Sequence, residues 1–142
     1  MSDSPLQIIL VTRDHTPRIH QAYQEVHACL TQRPDASLVA SGLIEDVDLE
    51  QLDAELVIVI GGDGAILRAC RQLATRQIPI LGINLGRLGF LADLTLTEFQ
   101  EQIAAIVTRD YRVVEHLMFE CIHHRSDGSR DQYLGLNEVA LL

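Results

Sequence analysis

The chain has 142 residues, 47% of them apolar, and a net charge of −9. That length and composition suit one domain of ordinary size with a real core. The acidic balance excludes a nucleic-acid binder, which needs a basic face, and the absence of lysine excludes a Walker A phosphate loop.

Three widely spaced cysteines, Cys29, Cys70 and Cys121, argue against a disulfide framework or a zinc site. The N-terminus is polar and acidic, with no signal-peptide pattern, and no apolar run approaches membrane-spanning length. The reading is a cytoplasmic protein without membrane or nucleic-acid partners. His20 and His27 on the first predicted helix, and the adjacent His123 and His124, lack metal-ligand spacing.

Leu6 to Val11 is apolar and β-branched, a buried strand. Thr16-Pro17 supplies an N-cap and a first-turn proline. Ile19, Ala22, Tyr23, Val26 and Leu30 then follow at helical spacing, and Arg33-Pro34-Asp35 ends that helix. Ser37 to Ser41 reads as a short second strand. Glu45 to Glu55 holds six acids and no base and reads as a solvated loop or short helix. Glu55 to Ile60 is a continuous apolar run, the pattern of a parallel strand buried on both faces.

Gly64 to Thr75 has helical spacing, with Ile66, Leu67, Cys70, Leu73 and Ala74 on one side. Ile80 to Asn84 is another short buried strand. A second glycine turn runs from Gly86 to Gly89. Thr95 to Arg109 is helical, with Thr97 as its cap and Glu98 in the first turn. After Asp110 the period changes to two: Tyr111 to His123 alternates like a half-buried strand, Ser126-Asp127-Gly128-Ser129 marks a turn, and Gln132 to Leu142 reads as the returning strand.

This order predicts an α/β fold: a doubly wound, Rossmann-like, mostly parallel sheet over residues 1–110. Residues 111–142 are the first hairpin of a β-rich domain. The apolar run Val139 to Leu142 is expected to be a strand cut short, so that the second domain is truncated.

The chemistry concentrates where the glycines do. Six of the nine lie between Gly61 and Gly89. The strand ending at Ile60 meets Gly61-Gly62-Asp63-Gly64 and then a helix. Glycines let a phosphate approach the main chain, and the helix start adds free N–H groups and a positive dipole end. Asp63 beside an anion site has two chemical uses: accepting a proton from an attacking hydroxyl, or holding Mg²⁺ through water. A plain helix N-cap explains it equally well. Arg68, just over one turn later, is placed either to reach a phosphate or to be solvated; Arg71 and Arg76 read as solvated. The second loop, within Leu81 to Leu94, is too apolar for an exposed loop. Leu88, Leu91 and Leu94 read as core, and Phe90 as a contact for an aromatic base. Later, Asn137 and Glu138 offer donors and acceptors to a ribose or base edge, or simply form a polar hairpin edge.

Gly61-Gly62-Asp63-Gly64, then Gly82-Ile83-Asn84-Leu85-Gly86-Arg87-Leu88-Gly89-Phe90-Leu91, then Leu136-Asn137-Glu138-Val139, resemble the bacterial NAD kinases in order and spacing from about Val57 onward. The first motif alone is shared with lipid and sugar kinases; the second is more particular to NAD kinases. The resemblance implies phosphoryl transfer from ATP or polyphosphate, with a divalent metal such as Mg²⁺, to the adenosine ribose 2′-hydroxyl of NAD. It implies that Asp63 accepts the proton, that the loop of Gly61, Gly62 and Gly64 meets phosphates and NAD, that Phe90 lies near the adenine, and that Asn137 and Glu138 bind NAD. It also implies a homo-oligomer whose active site lies between an α/β and a β-rich domain, so the chain alone is expected to be inactive. Ala65 departs from the family, which commonly has a hydroxyl residue there. A non-catalytic NAD-sensing module is the alternative of a different class, and a lipid or sugar kinase the alternative within the same one.

Overall fold

The structure, a computed structural model, describes residues 3–86, 89, 91 and 94–136. The chain divides into two compact units, Met1–Arg112 and Val113–Leu142.

The first unit is built on a five-stranded parallel sheet, β1 (Leu6–Thr12), β2 (Ala36–Leu43), β3 (Leu56–Ile60), β4 (Ile80–Asn84) and β5 (Leu94–Thr95), in the order β2-β1-β3-β4-β5. The central strands β1 and β3 are buried almost throughout because both faces are covered. On one face Leu6, Ile8, Leu10, Leu56, Ile58 and Ile60 pack with Ile19, Ala22, Val26 and Leu30 of α1 (Pro17–Thr31) and with Phe99 and Ile106 of α3 (Leu96–Val107). Side chains alternate along a strand, so Ile9, Val11, Val57 and Val59 turn to the opposite face. There α2 (Asp63–Leu73) buries Ile66, Ala69, Cys70 and Leu73. The cysteines are free thiols, and burial pushes the Cys70 thiol up from its usual range.

The predicted parallel α/β sheet is present, with four local differences. Thr16 precedes α1, but its side chain does not cap the helix; its N–H and hydroxyl both donate to Asp14 Oδ1, at 2.9 and 2.7 Å. The cap of α3 is Thr95 rather than Thr97. The Thr95 hydroxyl accepts from the Glu98 N–H, and the Glu98 carboxylate accepts from the Thr95 N–H, a complete capping box. The acidic stretch after β2 opens as a 3₁₀ turn, Ile44–Asp46, and it is not merely solvated: Ile44 and Leu49 are fully buried. The fourth difference is β5, a two-residue strand too short to show any periodicity.

α3 ends in a Schellman turn. Arg109 takes a φ of 63°, its N–H donates to Ile106 and the Asp110 N–H donates to Ala105. The Arg109 guanidinium then grips both oxygens of Glu55, which also accepts the Gln7 N–H at 3.1 Å. This ties the end of the helix to the starts of β1 and β3.

The second unit is an antiparallel hairpin, β6 (Met118–His124) paired with β7 (Arg130–Leu136). Its turn is closed by Asp127, which accepts from the Ser129 N–H and hydroxyl. The strand expected from Tyr111 begins only at Met118. Residues 111–117 have no regular structure.

Candidate active site

Chain order reverses across the sheet between β1 and β3. β1 leads through α1 to the β2 edge, whereas β3 leads through α2 toward β4. In open α/β sheets the crevice beyond the carboxyl ends of the strands at such a switch point is where ligands bind. Here those ends carry Thr12-Arg13 on β1, Gly61-Gly62 on β3 and Asn84-Leu85 on β4. They are stitched together by the main chain: Arg13 N–H donates to Ile60 and Gly61 N–H to Ile83, at 3.2 and 3.0 Å.

The two glycine loops therefore meet at one end of the sheet. Gly61 has a φ of 157°, and a Cβ there would come within 2.8 Å of the Ala65 Cβ and 3.3 Å of the Arg13 Cβ. The fold itself demands glycine at this position. Gly62 and Gly64 differ, since a Cβ at either would meet nothing within 4 Å. Their bareness serves no packing, and it leaves the start of α2 open to an approaching group.

Gly62 is the N-cap of α2 and Asp63 its first residue. Asp63 is thus not a capping aspartate, which removes the structural explanation open at the level of sequence. Its half-buried carboxylate instead accepts the Leu91 N–H of the second glycine loop at 3.0 Å. Anionic groups are favoured at a helix N-terminus. The second loop is held at its start by Asn84, which is 6% exposed and accepts the Gly86 N–H at 2.9 Å. The Arg18 guanidinium, reaching from α1, donates to the Leu85 carbonyl.

Among the cations near the loops, Arg68 turns to the acidic stretch, pairing with Glu45 at 2.9 Å. Arg76 does the same with Asp53 and the Glu50 carbonyl. The arginines that stand at the strand ends are Arg13 and Arg18, which sequence reasoning did not single out. Arg13 follows β1 directly, and its Nε donates to Asp14 at 2.9 Å. The Thr16 hydroxyl and N–H, with Arg13 adding to them, hold the Asp14 carboxyl down at about 2. Phe90, Asn137 and Glu138 lie outside the described residues. Among the described residues no three His, Cys, Asp or Glu side chains gather as a metal site, and no helix is long and apolar enough to cross a membrane.

The model of the ATP-NAD kinase N-terminal domain family matches residues 9–111. An NAD kinase of Rhodopirellula baltica is 36% identical over 138 residues, covering 97% of this chain and 44% of that protein. One from Geotalea daltonii is 32% identical over 143 residues, covering 95% of this chain and 50% of its own length. The chain spans about half the length of these curated relatives. Among solved structures, yeast NADH kinase complexed with NADH superposes with a TM-score of 0.75 at 17% identity, covering 94% of this chain and 47% of that one. An Archaeoglobus fulgidus NAD kinase in complex with ATP gives 0.52 at 23% identity, covering 87% and 45%. At these identities the two structures speak for the fold.

Proposed function

The chain belongs to the NAD kinase family, and from that premise we propose that it forms the Asp63-bearing part of an enzyme that makes NADP from NAD. The carrying observation is the placement of Asp63 at the first residue of α2, between two glycines whose side-chain space is open.

In this reading the adenosine ribose 2′-oxygen of NAD attacks the terminal phosphorus of ATP or polyphosphate. The bond from that phosphorus to the leaving oxygen breaks, and the 2′-hydroxyl proton passes to the Asp63 carboxylate. Phosphoryl transfer depends mainly on positioning and charge neutralisation. The main-chain N–H groups after Gly62 meet phosphate oxygens, which the bare Cα atoms of Gly62 and Gly64 allow to come close. Arg68 reaches a phosphate only by leaving Glu45. Phe90 beside the adenine, and Asn137 and Glu138 on NAD, complete the site on the strength of the motif resemblance.

Mg²⁺ would be held largely by the donor's phosphates, with Asp63 reaching it through water. When bound, the ion neutralises charge on those phosphates. A cytoplasmic homo-oligomer completes the proposal.

The test is NADP formation from NAD, ATP and Mg²⁺ by the enzyme that carries this chain as its N-terminal part. Asp63→Asn is expected to lower the rate by roughly 10²-fold or more. A rate near wild type refutes the proton-acceptor role. NAD bound tightly and never phosphorylated refutes the kinase reading in favour of a sensing module. The 142-residue chain by itself is expected to be inactive.

A further inference from the structure

The second glycine loop makes an unusually close approach to Asp63. A Cβ built on Gly89 would lie 2.4 Å from both carboxylate oxygens and 2.5 Å from Cγ. Two residues on, the Leu91 N–H donates to Asp63 Oδ1. A Cβ on Gly86, at the start of the same loop, would meet only Asn84 Oδ1, at 4.0 Å. Gly86 is thus tied down by elements of the fold, whereas Gly89 rests against the reacting group.

We propose that Gly89 is a positioning residue for Asp63. Its bare Cα lets the second loop seat on the carboxylate, and the Leu91 N–H fixes the rotation of that carboxylate from above. The proposal rests on the reading of Asp63 as the proton acceptor and adds to it what holds the acceptor still. A carboxylate has about four acceptor sites, so seating the loop and receiving a hydroxyl proton are compatible. The loop that carries the NAD-specific motif and the aspartate of the phosphate motif are then one mechanical unit. A displaced second loop displaces the base.

The size of the effect follows from the contact distances. Relieving 2.4 Å to the 3.4 Å of ordinary van der Waals contact needs a shift of about 1 Å, and a misplacement of that size costs about 10²-fold in rate. Gly89→Ala is therefore expected to lower kcat about 10²-fold, with a smaller rise in KM for NAD through the neighbouring Phe90.

A second readout does not depend on activity. In the purified chain, Gly89→Ala should lower the melting temperature and speed exchange of the Leu91 amide with solvent at least tenfold. In an Asp63→Ala background the carboxylate that the new methyl would strike is gone, so Gly89→Ala should then cost little. That non-additivity is the signature of direct contact. Equal destabilisation by Gly89→Ala with and without the carboxylate overturns the proposal. So does a Leu91 amide whose exchange is unchanged by Asp63→Ala, a comparison that remains open if Gly89→Ala fails to fold. Coupling without any NADP formation by the wild-type enzyme would overturn the kinase reading and, with it, the catalytic part of this proposal. NADP formation without coupling would overturn only the role given to Gly89.

Discussion

The three glycines of the first motif should separate cleanly under substitution by alanine. Gly61→Ala carries two costs. Its φ of 157° lies where an L-residue is strained, by about 1–3 kcal/mol. Its new Cβ would also stand 2.8 Å from that of Ala65, which is 1% exposed and has little room to yield. Overpacking of this kind costs about 1–3 kcal/mol. Together they predict a loss of roughly 3 kcal/mol or more, a fall in melting temperature of about 10 °C for a chain of this size. Gly62→Ala should change stability by no more than about 0.5 kcal/mol. Gly64→Ala, in the first turn of α2, should be neutral or stabilising by up to about 1 kcal/mol. Both, however, put a methyl group where the phosphates are proposed to meet the main chain, and each should cut NADP formation by roughly 10²-fold. Thermal melts beside an NADP assay read both effects. If Gly62→Ala and Gly64→Ala destabilise as Gly61→Ala does, the open face is a packing feature. If they are stable and fully active, the ligand does not approach there.

The other predictions concern the frame around the site. Thr95→Ala should cost about 1 kcal/mol through loss of the capping box, and Thr97→Ala no more than about 0.5 kcal/mol; urea unfolding of the two variants checks which threonine is the cap. Ala74, at the end of α2, has a φ of 52° with a ψ of −120°, a region suited to glycine. Ala74→Gly should therefore raise stability by about 1 kcal/mol, and a lower unfolding midpoint would refute the strain. The Asp14 carboxyl titrates at about 2 in the folded chain, against an ordinary value of 3.8. A depressed folded value means that its contribution is present above pH 4 and fades as pH falls toward 2. Asp14→Asn should flatten that part of the acid limb of a melting-temperature profile, and an unchanged limb would refute it.

Much of the architecture was legible because burial on both faces leaves a plain trace. The Val57–Ile60 run, closed by glycines, marked the central strand β3, and the Ile19, Ala22, Val26 and Leu30 spacing marked α1. What was misread depended on partners distant in sequence. Tyr111 to Leu117 alternates like a strand, yet the strand begins only at Met118, because alternation along one segment does not supply the neighbour a strand needs. The cap of α3 is the exception, since its signal is local: Glu98 stands three residues after Thr95, the spacing of a capping box.

The arginines show where local reading ends. Arg68 was the cation nearest the motif in sequence, so proximity along the chain chose it. The same sequence contained the counter-argument, since Glu45 to Glu55 carries six acids and no base, and such a segment needs positive partners. Arg68 of α2 and Arg76, just after it, supply two of them. The cations at the strand ends come instead from the β1–α1 connection and the first turn of α1. Arg13 is 48 residues from Gly61 and Arg18 is 67 from Leu85, separations that no pattern window spans. Topology would have found them. Once β1 and β3 are placed as neighbours at the switch point, the residues just beyond both strands must line the same crevice, and the residue just after β1 is Arg13. Identifying that site from sequence therefore requires committing to strand order first and choosing side chains second.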